Sequence, residues 1–233
     1  MLGPSCELTD VGKAYRGRFV VSGVNLSVAP GEMVALTGRS GSGKSTLLNI
    51  IGLLEGPDRG ELRLFGERAP RVGSSASTRM LRSRLGYLFQ NYALIDDDTV
   101  DSNLQIAQAY VRGSRTRKGA DRAEALASVG LPGFGRRRVY ELSGGEQQRV
   151  AIARLMLKPC DLVLADEPTG SLDQSNAAAV MAMLRDLNTR GRAIVIASHD
   201  ERISAACDRI FRLPDPHFEA SPGADRTPQG VAG

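Results

Sequence analysis

Gly38-Arg39-Ser40-Gly41-Ser42-Gly43-Lys44-Ser45-Thr46 is the stretch that decides the fold of this chain. It matches the phosphate-binding loop pattern G-x-x-x-x-G-K-[ST] at every fixed position. The apolar run 33–36 before it predicts a buried strand, and the apolar residues 47–51 after it predict a helix. A strand, a glycine-rich loop and a helix in this order favour a nucleotide-binding loop. The plainer alternative is a glycine-rich turn that happens to precede a helix.

The residue types of this loop suit a triphosphate bound with a metal ion. Glycines have no Cβ and let the backbone wrap closely around phosphates. The N–H groups of the loop and of the following helix N-terminus attract anions. Lys44 adds a point charge at the β- and γ-phosphates, and the Ser45 hydroxyl can hold Mg²⁺. The residues predicted to bind the nucleotide here are Gly38, Ser40, Gly41, Ser42, Gly43, Lys44, Ser45 and Thr46.

Composition sets the outer limits of the interpretation. The chain has 233 residues, of which 42% are apolar, so one large domain with an aliphatic core is expected. The formal net charge of +4 is mild and only weakly suggests an anionic partner. Three widely spaced cysteines form neither a metal motif nor a disulfide framework, which favours the cytoplasm. Because no run of 18 apolar residues occurs, we expect any membrane role to need a separate partner.

The pattern along the chain predicts an α/β fold. Residues 6–65 read as short strands with glycine-rich turns, and 85–89 is a strand that ends at Gln90. The continuous apolar runs 162–165 and 193–197 are typical of parallel strands covered on both faces. We interpret residues 66–78 as a surface loop, followed by one or two helical turns at 79–84.

Residues 91–157 have a helical character that interrupts the α/β pattern. Helices are predicted at 101–111 and 120–129, separated by the basic stretch 112–118. The basic runs favour a solvated face over a lipid or nucleic-acid site. We therefore predict one domain over 1–213, with an α/β core at 1–90 and 158–213 and a helical subdomain at 91–157. Residues 214–233, rich in Pro and Gly, are predicted to be a disordered tail.

Two acidic residues follow the predicted strand 162–165. Ligands in open α/β sheets bind outside the carboxyl ends of the strands, so Asp166 and Glu167 should face the same nucleotide as the loop. Asp166 fits the carboxylate that holds Mg²⁺ directly or through water. Glu167 fits a general base that polarises an attacking water. The alternative is a surface acidic pair at a strand end.

The stretch L-S-G-G-E-Q at 142–147 has two compatible interpretations. Ser143 and Glu146 have the S-x-x-E spacing of a helix capping box. Gly144 and Gly145 at the first helical positions are unfavourable for a cap alone. They favour a helix N-terminus that approaches a phosphate closely.

These motifs together resemble the ATP-binding cassette (ABC) ATPases. The resemblance covers residues 7–213 and rests on G-R-S-G-S-G-K-S-T, Gln90, L-S-G-G-E-Q-Q-R, L-V-L-A-D-E-P, S-L-D and S-H-D in order. It implies a P-loop NTPase (RecA-like) α/β core with an antiparallel β subdomain and an inserted helical subdomain. It also implies an ATPase with ATP and Mg²⁺ as ligands.

The resemblance assigns further roles by position. Tyr15 matches the aromatic residue that stacks on adenine. Gln90 matches the loop residue that joins Mg²⁺ and the attacking water to a transmembrane partner. His199 matches the switch histidine that contacts the γ-phosphate. A lone histidine is more often structural, but its place in S-H-D after a buried strand favours the switch.

A second group of implied roles concerns a partner copy. Ser143, Gly144 and Gly145 match the signature that closes on the γ-phosphate bound by a second subunit. Asp173 matches the loop that couples the two sites. The resemblance therefore implies an ATP-dependent, head-to-tail homodimer.

A narrower similarity concerns the kind of ABC protein. E-L-S-G-G-E-Q-Q-R-V-A-I-A-R and A-D-E-P-T-G-S-L-D are similar to the lipoprotein-releasing and macrolide-efflux group (LolD, MacB, FtsE). Q-N-Y-A-L-I-D-D-D-T-V with C-D-L-V-L-A-D-E-P is similar to bacteriocin exporters of the lactococcin 972 type. We expect a peripheral ATPase at the cytoplasmic face of the membrane that drives export or extraction of a peptide, lipoprotein or drug-like substrate through a separate permease. No nucleic-acid partner is expected.

The main alternative is an FtsE-like ATPase that signals to a cell-wall hydrolase through a membrane partner without transport. A chromosome-maintenance ATPase is disfavoured because it needs a long coiled coil, and the sequence contains none. A translation factor of this family is disfavoured because it needs two cassettes, and the sequence contains one. A GTPase is disfavoured because no N-K-x-D motif occurs. A kinase is disfavoured because Glu167 implies water as the acceptor.

Overall fold

The computed structural model describes residues 3–170 and 172–214, so the predicted tail lies outside the described residues from position 215 onward. The strands are β1 (Cys6–Tyr15), β2 (Arg18–Val28), β3 (Met33–Thr37), β4 (Arg59–Leu64), β5 (Glu67–Arg68), β6 (Leu85–Leu88), β7 (Leu162–Asp166), β8 (Ala193–Ala197) and β9 (Arg209–Arg212). The helices are α1 (Lys44–Ile51), α2 (Ser75–Ser83), α3 (Val100–Ala107), α4 (Arg115–Ser128), α5 (Gly144–Leu157), α6 (Gln174–Thr189) and α7 (Glu201–Ala205). Two 3₁₀ turns, Phe134–Arg136 and Val139–Glu141, lead into α5.

A five-stranded parallel sheet carries the ends of most predicted motifs. Its order is β6-β7-β8-β3-β9. All five residues of β8 are buried, and four of the five in β3 and in β7 are buried. Because both faces of this sheet are covered, its strands read as continuous apolar runs in the sequence. The carboxyl ends of β6, β7, β8 and β3 meet at one edge, which gathers the segments that follow them.

A four-stranded antiparallel sheet, in the order β2-β1-β4-β5, lies beside the phosphate-binding loop. β1 and β2 form a hairpin whose register runs from Cys6 opposite Val28 to Tyr15 opposite Arg18. The hairpin places Tyr15 at its turn, and Val20 and Val21 of β2 pack directly under Gly43. The antiparallel β structure and the α/β class are therefore as the resemblance implies.

The core lies on both faces of the parallel sheet. One cluster joins α1 and the antiparallel sheet to side chains such as Leu36 and Val195. The other joins α3, α4, α5 and α6 to side chains such as Val163 and Ile194. None of the described helices is both long enough and apolar enough to cross a bilayer.

The structure corrects two predicted boundaries. The stretch 66–78 is not all loop, since it contains β5 and the first turn of α2, which Ser74 caps by accepting a hydrogen bond from the Ser77 N–H. The basic stretch 112–118 does not separate two helices completely, because α4 begins at Arg115 and takes in its second half. Both segments are polar on their exposed sides, so apolar periodicity understates the helices.

Asn103 shows how α3 holds the loop before it. It is fully buried, and its carboxamide oxygen accepts from the Ile95 N–H at 2.8 Å. Its amide donates to the carbonyls of Ile95 and Thr99, both at 3.1 Å. The side chain thus supplies the partner of the Ile95 N–H, whereas both carbonyls also accept from a backbone N–H, Ile95 from Asp98 and Thr99 from Asn103.

We expect Asn103→Ala to lower the free energy of unfolding by about 2–3 kcal/mol, because it removes three hydrogen bonds of a buried side chain and leaves the Ile95 N–H without that partner. Urea unfolding followed by circular dichroism measures the change. Asn25→Ala is the matched control, since Asn25 is exposed while bonding the Asp10 N–H and the Gly23 carbonyl. An equal loss of unfolding free energy in both variants would contradict the structural role assigned to Asn103.

Candidate nucleotide-binding site

The loop between β3 and α1 is built around glycines that packing requires. Gly43 is the N-cap of α1 and has a φ of +90°, in the left-handed region that favours glycine. A Cβ there would lie 2.6 Å from the Val20 carbonyl oxygen and 2.8 Å from Val21 Cγ2. A Cβ on Gly38 would lie 2.6 Å from Ser42 Oγ. Gly43 therefore lets the loop approach β2, and Gly38 leaves room for the Ser42 hydroxyl within the loop.

The Lys44 side chain folds back against the loop that precedes it. The residue is 8% exposed, and Nζ donates to the carbonyls of Gly38 at 3.0 Å and Arg39 at 3.2 Å. An ammonium has three hydrogens, and this geometry accounts for two. The charge is therefore held inside the curve of the loop, where a phosphate would meet it.

Ser45 and Asp166 bring two oxygen ligands together from distant parts of the sequence. Ser45 Oγ donates to Asp166 Oδ1 at 3.1 Å. Burial raises the pKa of Asp166, the Ser45 hydrogen bond lowers it, and the neighbouring Glu167 charge raises it further. Hydroxyl and carboxylate oxygens are the hard donors that Mg²⁺ prefers. The donor set here fits Mg²⁺, and the loop beside it fits the phosphates.

Glu167 and His199 form a pair at the carboxyl ends of β7 and β8. His199 Nδ1 lies 2.9 Å and 3.0 Å from the two carboxylate oxygens of Glu167. The Glu167 backbone has a φ of +45° and donates its N–H to the Ala197 carbonyl at 2.9 Å. A non-glycine residue in this region costs free energy and persists where the surroundings fix it. The pair can hold a carboxylate in a set orientation toward the cleft.

One cleft of about 870 Å³ gathers most of the predicted residues. It is lined by Val20, Gly38, Arg39, Ser40, Gly41, Gly43, Lys44, Ser45, Thr46, Gln90, Glu167, Gly170 and His199. The predicted phosphate-binding residues, the candidate base and the predicted switch histidine therefore share one space. Ser42 differs, because it lines a neighbouring hollow and its buried hydroxyl has no hydrogen-bond partner within the described residues.

The 143–145 segment lies elsewhere in the chain's own structure. Among the described residues that line the cleft, none comes from this segment. Ser143 and Glu146 form the predicted capping box, with the Glu146 carboxylate accepting from the Ser143 N–H at 2.8 Å. A Cβ on Gly144 or Gly145 would come no closer than 3.4 Å to another atom. Packing within the chain therefore does not demand glycine at either position.

Asp173 has a local structural task that the sequence analysis did not foresee. It is the N-cap of α6, accepting from the Asn176 N–H at 2.9 Å, and its other oxygen accepts from Asn176 Nδ2 at 2.6 Å. These hydrogen bonds, led by the one from the Asn176 backbone, lower the pKa of Asp173 to about 2. Asn176 also accepts from Arg149 of α5 at 2.8 Å. This contact ties the first turn of α6, which Asp173 caps, to the helix that follows Ser143.

Gln148 is a supporting residue that the sequence analysis missed. It is 2% exposed, and Nε2 donates to the Pro168 carbonyl at 2.9 Å. The contact joins α5 to the turn that carries Glu167. A polar residue beside the apolar positions of a predicted helix was the only signal in the sequence.

Tyr15 stands at the turn of the β1–β2 hairpin, 42% exposed. Its hydroxyl donates to the Glu55 carboxylate. Tyr15 is not among the residues that line the cleft, whereas Val20 of the same hairpin is, so the ring lies beside the cleft rather than within it.

Comparisons with known proteins agree with this geometry. The profile of a family described as ABC transporter matches residues 21–170. The macrolide export ATP-binding/permease protein MacB of Escherichia coli is 38% identical over 221 residues, which are 93% of this chain and 34% of MacB. The pyoverdine export ATP-binding/permease protein PvdT of Pseudomonas entomophila is 38% identical over 92% of this chain and 34% of PvdT. The chain thus spans about a third of these relatives.

Solved structures give the same result for the fold. The dimeric structure of MJ0796, a bacterial ABC transporter cassette, has a TM-score of 0.84 and 34% identity, covering 91% of this chain and 95% of that one. A post-hydrolysis dimer of MJ0796 bound to ADP and Pi has a TM-score of 0.83 and 33% identity.

Proposed function

Because the chain belongs to the ABC transporter family, we propose that it uses ATP hydrolysis to drive export or membrane extraction through a transmembrane permease. As a member of that family the chain is an ATPase, and its ligands are ATP and Mg²⁺. One observation carries the proposal. Lys44, Ser45, Glu167 and His199 line a single cleft although they come from three separate segments.

The residues divide the chemistry between binding and proton transfer. ATP supplies the phosphoanhydride bond that breaks, and Mg²⁺ offsets the charge that develops on it. Lys44 and the loop N–H groups bind the phosphates, while Ser45 and Asp166 hold the metal, with Gln90 beside them. Glu167 accepts the proton of the attacking water, and the hydrogen bond from His199 orients it. Tyr15 offers its ring to the base at the edge of the cleft.

A second copy of the chain completes each site in this proposal. Ser143 and Gly144 are exposed, and no residue of their segment lines the cleft of its own chain among those described. A helix N-terminus with a hydroxyl and two glycines suits the γ-phosphate held by another copy. Asp173, on the loop before α6, would then lie near the interface and couple the two sites.

The relatives support the proposed partner and location. MacB and PvdT are named as ATP-binding/permease proteins, and this chain matches about a third of each. A permease would hold the chain at the cytoplasmic face of the membrane. The cargo we propose is a peptide, a lipoprotein or a drug-like molecule. Co-purification of the detergent-extracted permease with this chain, together with cargo-stimulated ATP hydrolysis in vesicles, tests the proposal. Hydrolysis that never responds to any cargo of these classes would count against it.

Lys44→Ala should weaken ATP binding about 10- to 100-fold and reduce turnover as well, since the charge contacts the phosphates before the reaction. Equilibrium titration with MgATP measures the affinity. Lys118→Ala is the control, because Lys118 lies on α4, donates to the carbonyl of Gln108 at the end of α3 and lies outside the cleft lining. Unchanged affinity and turnover in Lys44→Ala would contradict the phosphate-loop assignment.

A further inference from the structure

A line of hydrogen-bonded side chains runs from Tyr15, on the hairpin beside the cleft, into the core. The Tyr15 hydroxyl donates to one oxygen of Glu55. The other oxygen of Glu55 accepts from Asn49 Nδ2 at 3.0 Å. The Asn49 carboxamide oxygen accepts from the Tyr87 hydroxyl at 3.0 Å. Four side chains from β1, α1, the turn after α1 and β6 thus form one network.

Backbone hydrogen bonds hold Glu55 in this network. The N–H groups of Leu54 and Glu55 both donate to the Asn49 carbonyl, at 2.9 Å and 3.3 Å. The turn between them places Leu53 in the left-handed region, with a φ of +56°. Leu53 is 3% exposed, so its burial in the core compensates for that strain. Glu55 is therefore fixed by its backbone as well as by Asn49.

The far end of the network is also fixed. The ring of Tyr87 stacks on Phe89 with centroids 4.0 Å apart and planes at 12°. Burial raises the pKa of Tyr87, and the charges of Asp166 and Glu55 raise it further. The Tyr87 hydroxyl therefore stays a neutral donor toward Asn49 at any ordinary pH.

The Tyr15 ring is held from a second side. The Lys13 ammonium lies 5.7 Å from the ring centroid. That ammonium is itself bound to the Gly56 carbonyl and to Asp58, both at 2.9 Å. The hydrogen bond to Glu55 is the main cause that raises the pKa of the Tyr15 phenol. A ring that is partly exposed at a hairpin turn is thus limited to one orientation.

We propose that Glu55 is a positioning residue for base recognition, acting through the Tyr15 hydroxyl to hold the ring against the base of the bound nucleotide. The inference rests on the proposed function, in which Tyr15 stacks on adenine. If the ring is already oriented in the free protein, less conformational entropy is lost when the nucleotide binds. Glu55 then contributes to the affinity for a nucleoside triphosphate and contributes nothing to the affinity for its phosphates alone.

The experiment compares two probes, MgATP and magnesium tripolyphosphate, by titration calorimetry. Glu55→Ala and Tyr15→Phe should each weaken ATP binding about 3- to 10-fold, the range for one net hydrogen bond. Tyr15→Phe keeps the ring and loses only the donor. Both variants should bind tripolyphosphate within about twofold of the wild-type affinity. The double variant should be no weaker than either single one, since both remove the same interaction.

Two further variants complete the design. Glu55→Gln should recover most of the ATP affinity, because the amide oxygen can still accept from the tyrosine hydroxyl, while a flipped Asn49 amide accepts from the glutamine NH₂ and donates to the Tyr87 hydroxyl. Glu61→Ala is the matched control, an acidic residue of β4 that pairs with Arg63 at 3.0 Å. It should leave both affinities unchanged. Thermal unfolding confirms that each variant is folded.

Several outcomes would overturn the inference. Additive losses in the double variant would mean that the two residues act separately. Equal losses for ATP and tripolyphosphate would mean that Glu55 supports the loop rather than the base. If the wild-type protein binds MgATP and tripolyphosphate equally, Tyr15 does not bind the base. That outcome would contradict the inference about Glu55 but not the assignment of the phosphate site. Wild-type protein that binds neither probe would remove the proposed function itself, and this inference with it.

Discussion

Glu167→Gln is expected to stop ATP hydrolysis while leaving ATP binding in place. The amide has the size of the carboxylate but cannot take the proton of the attacking water. Loss of a general base typically costs about 10²–10⁴ in rate. Phosphate release under saturating MgATP measures the turnover, and titration measures the affinity. Because hydrolysis is the step that reopens the proposed dimer, the variant should also accumulate as an ATP-bound dimer in size-exclusion chromatography.

The control for this variant is Glu124→Gln, which makes the same chemical change at an exposed position of α4. It should hydrolyse ATP at the wild-type rate. His199→Ala should fall between the two, since it removes the group 2.9 Å from the Glu167 carboxylate but keeps the base. Near-wild-type hydrolysis by Glu167→Gln would remove that residue from the mechanism.

A mixture of two inactive variants should regain activity if each site is shared between chains. Lys44→Ala damages the phosphate loop, and Ser143→Arg damages the opposite face by placing a large side chain at the N-cap of α5. Each homodimer has two damaged sites. In a mixed dimer one site carries both lesions, and the other combines an intact loop with an intact signature. If the variants pair at random in equal amounts, roughly a quarter of all sites should be intact.

Nucleotide trapping at those intact sites is the measurement, with each variant alone as the baseline. A chain that carries both substitutions is the matched control, because mixing it with either single variant cannot create an intact site. If each chain used its own signature, every site in the mixture would stay damaged. No recovery of trapping, with mixed dimers shown to form by differential tagging, would contradict the shared site.

Residues that act within one contiguous segment were predictable without the structure. The strand, glycine loop and helix around Lys44 appear as expected, as does the capping box of Ser143 with Glu146. In each case the partners are a few residues apart, so local backbone geometry decides the contact. Helix ends were less predictable, since the exposed first turns of α2 and α4 have little apolar periodicity. The division into core and helical subdomain, and the roles of the site residues, stay predictions.

The sequence by itself determined the kind of chemistry, because the residue types and spacings of the loop, the acid pair and S-H-D suit phosphate, metal and proton transfer. Only the tertiary structure decided which of these groups meet. The hydrogen bond of Ser45 to Asp166 and the pair of Glu167 with His199 join residues 121 and 32 positions apart. The link of Tyr15 to Glu55 spans 40 positions. Such contacts depend on the strand order β7-β8-β3 and on the hairpin beside it. Strand order is set by how the buried faces pack together, and no local pattern encodes it.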